Sequence, residues 1–189
     1  MFFRYYLSVL KRLIYSFKAD RIGPDLPYTH FLLHFNFTRS KLCKHKFKFF
    51  GQGAEIRPYA FISGCSNVII GARTVIRPNC FLYANSYLSD SIGGIIIEED
   101  VLIGNGVHIY SSNHIFSNLR KPINSQGHKN YPSVKIEKGS WIGSNSVILP
   151  GIQIGQNSVI GAGSIVTKNV EPFTVVAGNP ARVIRKLDS

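Results

Sequence analysis

Acidic residues are scarce in this chain. Ten Asp and Glu stand against 22 Lys and Arg, for a formal net charge of +12. The imbalance is local: residues 1–50 hold ten basic residues and two acids, the remainder twelve and eight. Such a segment suits an anionic partner, but no nucleic-acid-binding motif accompanies it and no nucleic-acid partner is expected. Cysteine is scarce too. Cys43, Cys65 and Cys80 are odd in number and well separated, with no CxxC pair. This excludes a disulfide framework and reads as free thiols of a reducing, cytoplasmic compartment. Long hydrophobic runs are missing as well. Residues 1–18, MFFRYYLSVLKRLIYSFK, break every apolar run with Arg4, Lys11, Arg12 or Lys18, which excludes a spanning helix and argues against a cleaved signal peptide. An amphipathic helix remains. It either packs on the body or a neighbouring subunit, or rests peripherally on an anionic membrane surface.

What the chain does have is a repeat. From Ile136 every sixth residue is aliphatic: Ile136, Ile142, Ile148, Ile154, Ile160 and Val166. The units read IEKGSW, IGSNSV, ILPGIQ, IGQNSV, IGAGSI and VTKNVE, with Ser140, Ser146, Ser158 and Ser164 in the fifth position and Ile152 and Val170 as exceptions. No helix period gives six; a parallel β-helix of hexapeptides does. Each hexapeptide supplies one short strand with its aliphatic residue inward, and a corner where Gly, Asn or Ser accepts tight backbone. Three units close a triangular coil, and coils stack at about 4.8 Å. A length of 189 residues with 44% apolar content provides one such solenoid with a small appendage.

The same register starts after Gly51 with Ile56 and Ile62, shifts by two residues, and resumes at Ile70, Ile76 and Leu82. It breaks between Tyr83 and Ile96, returns at Ile97, Ile103 and Ile109, and breaks again until Ile136. The count is four to five coils. Cys80, a fifth position, is read as core. Interruptions must leave the solenoid as loops, which commonly carry function. The second follows SSNH, placing His114 where a regular coil hands over to a polar, Pro-containing loop over 115–135. An imidazole with an unperturbed pKa near ~6.5, fixed on a rigid coil beneath a loop, can take and return a proton at neutral pH.

Residues 1–50 are read as a basic, amphipathic helical or irregular N-terminal segment and 51–189 as the solenoid, with a C-terminal extension over 172–189. Within the former, the prolines of RIGPDLPYTH argue for an irregular connection and residues 31–37 for one short apolar helix or strand. His30 and His34 are four apart but lack an acidic or Cys partner at ligand spacing, so both are read as structural or surface residues.

An ordered set of motifs accompanies the repeat: YAN at residues 83–85, EEDVLIGNGVHI, SSNH followed by NLRKPI, WIGSNSVILPGIQIG, IGAGSIVTKNV and the closing VVAGNPARVIRK. With these, residues 51–189 resemble the hexapeptide-repeat acyltransferases, most closely galactoside and maltose acetyltransferases and bacterial polysaccharide O-acetyltransferases. The resemblance implies a left-handed parallel β-helix, against the usual crossover hand, forming a homotrimer with active sites between subunits. The implied donor is acetyl-CoA, and no metal is required. His114 matches the family's catalytic base, in a direct transfer without a covalent nucleophile. Asn85 matches its substrate-contacting Asn and Trp141 an aromatic beside the site. Ser144 matches a position whose amide faces the thioester carbonyl. Ala162, Thr167 and Lys168 correspond to the coenzyme-binding edge, where Lys168, Arg182 and Arg185 can meet phosphates. Asp90, Glu98, Glu99 and Asp100 are the candidate carboxylates to orient His114.

Residues 1–50 show no short helical module of the kind typical of the maltose and galactoside enzymes. They also leave no room for the nucleotide-binding subdomain of sugar N-acetyltransferases or the helical domain of serine acetyltransferase. A basic, aromatic N-terminus suits enzymes that modify lipid-linked or polymeric glycans at the inner membrane face, so the expected acceptor is a surface polysaccharide or its precursor. Two other readings use the same solenoid. One is a carbonic anhydrase-like hydratase with Zn²⁺ on His108, His114 and His128. The other is a non-catalytic trimeric scaffold.

Overall fold

The computed structural model describes residues 2–85 and 93–187. Three helices come first: α1 (Phe2–Lys18), α2 (Pro27–Leu32) and α3 (Asn36–Lys46), with a short strand β1 (Arg21–Ile22) between α1 and α2. The solenoid follows in coils of three short strands. The first coil holds β2 (Phe49–Phe50), β3 (Glu55–Ile56) and β4 (Phe61–Ser63). The second holds β5 (Val68–Ile70), β6 (Val75–Ile76) and β7 (Phe81–Tyr83), and the third β8 (Ile95–Ile97), β9 (Leu102–Ile103) and β10 (His108–Tyr110). A hairpin, β11 (Asn113–His114) with β12 (His128–Lys129), then leaves the solenoid. The fourth coil is β13 (Val134–Ile136), β14 (Trp141–Ile142) and β15 (Val147–Ile148), and the fifth β16 (Gln153–Ile154), β17 (Val159–Ile160) and β18 (Ile165–Val166). A partial sixth turn ends in β19 (Thr174–Gly178), against which β20 (Ala181–Lys186) folds back antiparallel.

Strands at equivalent places stack in parallel into three faces: β2-β5-β8-β13-β16, β3-β6-β9-β14-β17-β19, and β4-β7-β10-β15-β18. This is a left-handed parallel β-helix. The register explains the sixfold pattern. Ile56, Ile76, Ile103, Ile142 and Ile160 are partners from coil to coil down one face, and Ile62, Leu82, Ile109, Ile148 and Val166 down another. All of these are buried. Each contributes about 1.5–3 kcal/mol of burial, which offsets the entropy of strands too short to be stable alone.

The fifth-position serines are also buried, and each Oγ donates to a corner carbonyl: Ser140 to Gly155 at 2.9 Å, Ser146 to Gly161 at 3.0 Å and Ser158 to Glu171 at 2.8 Å. A hydroxyl at this place satisfies a peptide group that would otherwise be orphaned inside the corner. Cys80 does the same with its thiol, 3.0 Å from the Gly104 carbonyl oxygen, and burial raises its pKa to about 11.

The N-terminal region corrects the sequence reading. Residues 20–50 are not an irregular connection with one short apolar element; they carry two helices. Neither Leu26 before α2 nor Phe35 before α3 caps its helix with a side chain, so the only start signal is Pro27 in the first turn of α2. Packing stabilises them instead: Leu33, Leu42, Cys43 and Phe47 join the core beneath the first coil. Lys46 of α3 reaches the far end of α1, where its Nζ donates to the carbonyls of Ser16 at 3.1 Å and Phe17 at 3.2 Å. This ammonium satisfies carbonyls that a helix end leaves open and fixes α1 to the body. The rings of His30 and His34 meet edge to face at 5.5 Å, and burial, with His34 alongside, lowers the His30 pKa.

Candidate active site

The third face ends at a corner where the second, third and fifth coils present Asn85, the Ser111–His114 stretch, and Thr167 with Lys168. Asn85 follows β7, and its amide donates both to the Gly93 carbonyl at 2.8 Å and to Ser111 Oγ at 2.9 Å. Its own carbonyl accepts from Asn67 Nδ2 at 2.8 Å. Ser111 is buried and also bonds the Gly93 carbonyl. Three coils are thereby tied together directly beneath the hairpin.

His114 stands on β11, which pairs residue for residue with β12: Asn113 with Lys129 and His114 with His128. The two imidazoles lie 4.3 Å apart, centroid to centroid. The His114 amide donates to Asn113 Oδ1 at 2.9 Å. Further out, Gln126 braces the loop, donating from Nε2 to the carbonyls of Asn118 and Lys121, both at 2.9 Å. The segment is therefore an ordered hairpin standing off the corner, with both histidines exposed to solvent. Sequence reasoning gave His128 only a loose part in a zinc site and missed this pairing. The Asn-Ser-Gln-Gly run is the turn signal that returns the chain to His114.

The carboxylates read as possible partners of His114 belong elsewhere. Glu98, Glu99 and Asp100 follow β8, at the corner opposite the hairpin's face. Glu98 binds Lys135 Nζ at 2.9 Å and accepts the Lys138 amide at 3.0 Å. Burial opposes its ionised form, but these bonds and the two ammonium groups prevail and lower its pKa. Asp100 pairs with Arg73, its carboxyl lowered chiefly by that hydrogen bond. Asp90 lies outside the described residues. Among those, no carboxylate pairs with His114.

A second edge forms where the second face turns into the third. Trp141 is outward on β14, 51% exposed, between Leu102 and Val159 of adjacent coils. Ser144 and Ala162 follow on the fourth and fifth coils in one column. The coils approach closely here because of glycine: a Cβ on Gly143 would lie 2.5 Å from the Ala162 nitrogen, and one on Gly161 2.7 Å from the Ala177 Cβ. The Ser144 amide, expected from the resemblance to face a carbonyl, has no protein acceptor among the described residues. Ala177 pairs across β19 and β20 with Arg182, and Val175 with Arg185. Trp141, expected beside the substrate, and Ser144, Ala162 and Arg182, expected to meet the coenzyme, thus share one edge of the prism, with Arg185 further along β20. Asn85, His114, Thr167 and Lys168 share another. One chain does not bring the two sets together.

His108 lies on the outer third face, away from the hairpin. Its ring stacks on Phe81 at 4.8 Å and its Nδ1 is 2.9 Å from the Tyr110 hydroxyl. Tyr110 in turn stacks on Tyr83 at 5.4 Å. These rings make an aromatic wall running toward Asn85. Among the described residues no group of three His, Cys, Asp or Glu side chains is arranged to hold a metal ion.

Comparison with known proteins agrees with this fold. The family described as bacterial transferase hexapeptide (six repeats) matches residues 133–168, and the hexapeptide repeat of succinyl-transferase matches residues 74–111. Galactoside O-acetyltransferase of Escherichia coli is 39% identical over 155 residues, covering 79% of this chain and 69% of the relative. A solved galactoside acetyltransferase in complex with coenzyme A superposes with a TM-score of 0.73 at 32% identity, over 86% of this chain and 78% of the other. A hexapeptide-repeat acetyltransferase of Vibrio cholerae, solved with acetyl coenzyme A, gives 0.71 at 26% identity, over 87% and 90%. The chain belongs to the hexapeptide-repeat acetyltransferase family, on the side of it that holds the galactoside O-acetyltransferases.

Proposed function

We propose that this protein transfers the acetyl group of acetyl-CoA to a hydroxyl of a glycan, namely a surface polysaccharide such as a capsule, O-antigen or exopolysaccharide, or its precursor. The observation that carries the reading is the placement of His114: exposed, held by a braced hairpin, and one coil beyond Asn85. In this reading His114 takes the proton of the acceptor hydroxyl as its oxygen attacks the thioester carbonyl. The new C–O bond forms, the carbonyl electrons move to oxygen, and the free Ser144 amide stabilises that charge without reorganising. Collapse breaks the C–S bond, and the proton returns from His114 to the departing thiolate. Asn85 hydrogen-bonds the acceptor near the reacting hydroxyl, and the rings of Tyr83 and Tyr110 offer flat apolar faces to sugar rings.

The donor runs along the other edge in this account. Ala162 borders the pantetheine arm with Trp141 beside it, Arg182 and Arg185 meet its phosphates, and Thr167 and Lys168 reach the donor from the facing subunit's His114 edge. Because the two sets of residues lie on separate edges, the working unit is a cytoplasmic homotrimer in which one subunit's His114 edge faces the next subunit's Ser144 edge. Residues 1–18 place this unit beside the membrane or a lipid-linked acceptor.

Thiol release from acetyl-CoA, measured with a panel of glycans, tests the proposal. Wild type releases thiol only with an acceptor, and His114→Ala loses about 10²–10⁴-fold in kcat while still binding the coenzyme. A wild type that neither binds the coenzyme nor releases thiol would make the protein a trimeric scaffold instead.

A further inference from the structure

Helix α1 is only partly used by the fold. Ser16 is buried against the body, and Val9 and Leu13 are half-buried. Leu7, Leu10, Ile14 and Phe17, at i, i+3, i+7 and i+10, fall on a different face. They are 37%, 40%, 45% and 41% exposed. This is a continuous apolar stripe of two to three turns left in solvent, bordered by Lys11 and Lys18.

Its C-terminal end opens into a pocket. Phe17 lines a cavity of about 320 Å³ together with Leu32, Thr38, Lys41, Leu42 and His45, so the stripe continues into a lipophilic recess with an ammonium at its rim. Phe31 and Phe35, in ring contact at 5.3 Å, and Phe37 add further exposed aromatic surface to the same helical cap.

Charge decides what covers this face. Lys46 is consumed at the end of α1, Arg21 pairs with Asp25 at 2.7 Å and Arg39 with Glu55 at 3.6 Å. Lys11, Arg12, Lys18, Lys41, Lys44 and Lys48 form no ion pair among the described residues. A second copy of the chain would bring this cationic cap against another and be repelled. A neutral apolar partner would leave the helical cations Lys11, Arg12, Lys18, Lys41 and Lys44 uncompensated.

We infer that α1 and the helical cap form a docking surface for an anionic lipid bilayer, with the Leu7–Leu10–Ile14–Phe17 stripe entering the headgroup boundary and the cations meeting lipid phosphates. The pocket between Phe17 and Leu42 receives the end of one acyl or isoprenoid chain, with Lys41 at its mouth. The inference deepens the proposed function by placing the enzyme where lipid-linked glycans are held; it rests on that reading for the acceptor only, since lipid binding is independent of acetyl transfer.

Flotation of the full chain with phosphatidylcholine vesicles, with and without one-third phosphatidylglycerol, is the test. Binding is expected to anionic vesicles only, and to weaken with salt. The variant Lys11→Gln/Arg12→Gln/Lys18→Gln should partition about a hundredfold more weakly. Leu10→Ser/Ile14→Ser should lose binding too, and both variants should keep the wild-type circular dichroism spectrum and transfer to a soluble acceptor. Absence of vesicle binding, equal binding to neutral vesicles, or binding indifferent to both variants would overturn the inference. So would a change of oligomer size in Leu10→Ser/Ile14→Ser without vesicle binding by wild type, which would assign the face to a second copy. Failure of acetyl transfer with intact vesicle binding would count against the proposed function alone.

Discussion

At the scale of the residue, two imidazoles lie 4.3 Å apart across the hairpin. His114 follows directly from β10 through Ser111 and Asn113, whereas His128 reaches the site only because the loop folds back. On the proposed mechanism, in which His114 is the base, His128 would hold the His114 ring in place rather than replace it. His128→Ala should lower kcat about tenfold, since small displacements of a base are costly, and leave coenzyme affinity unchanged. His128→Gln, which retains a polar side chain on β12, should recover part of the loss. A His128→Ala enzyme with unaltered kcat would reduce the pair to a chance contact.

Glu98 supports a prediction of another kind, because its ionised form is used for stability. Its carboxyl is lowered from the ordinary 4.5, so it ionises more readily folded than unfolded. The stabilisation is present above the unfolded value and disappears as pH falls through the folded one. Glu98→Gln should therefore melt below wild type at pH 7, by a few tenths to about 1 kcal/mol, and the two melting curves should converge in acid. A gap that persists in acid would mean that packing, not charge, distinguishes them.

At the scale of the element, the coil is the unit of stability and the corner serine its least replaceable polar part. Ser158 Oγ donates to the Glu171 carbonyl at 2.8 Å and accepts the Thr174 amide at 3.2 Å, bonding the fifth coil to the last turn. Ser158→Ala leaves the buried Thr174 amide unmatched, at about 1–3 kcal/mol, which for a chain of this length lowers Tm by roughly 2–10 °C. Calorimetry of the variant checks it, with exposed Ser125→Ala as the control expected to melt like wild type.

Why the coils could be read from the sequence and the helices could not is evident at the same scale. Every inward residue repeats at six because Ile142 must stack on Ile103 and under Ile160; the pattern is the packing. Helices α2 and α3 have no such obligation. They lack side-chain caps, and α3 carries basic residues through its length, so their existence depends on Leu33, Leu42 and Cys43 meeting the first coil, a contact distant in sequence. The hairpin is a similar case. His114 was legible from its place at the end of a register, but its neighbour across the strand pair was not, and the carboxylates near it in sequence proved to be turned to Lys135 and Arg73. Periodicity reports contacts that recur and is blind to those made once.

At the scale of the whole molecule, the prism has two chemically different edges. One carries Asn85, His114, Thr167 and Lys168; the other carries Trp141, Ser144, Ala162 and Arg182. On the proposed mechanism neither edge alone combines the base with a cradle for the thioester, and chains would have to meet edge to edge.

Mixed oligomers test this most directly. His114→Ala disables the first edge, and Ala162→Trp fills the second. Each variant alone should be folded, oligomeric and inactive. Refolded or co-expressed together in equal amounts, they should recover about a quarter of wild-type activity, the share of random interfaces joining an intact His114 to an intact Ala162 on the next chain. If the mixture stays inactive although mass measurement shows mixed oligomers, the site is contained in one chain and the two-edge account is contradicted.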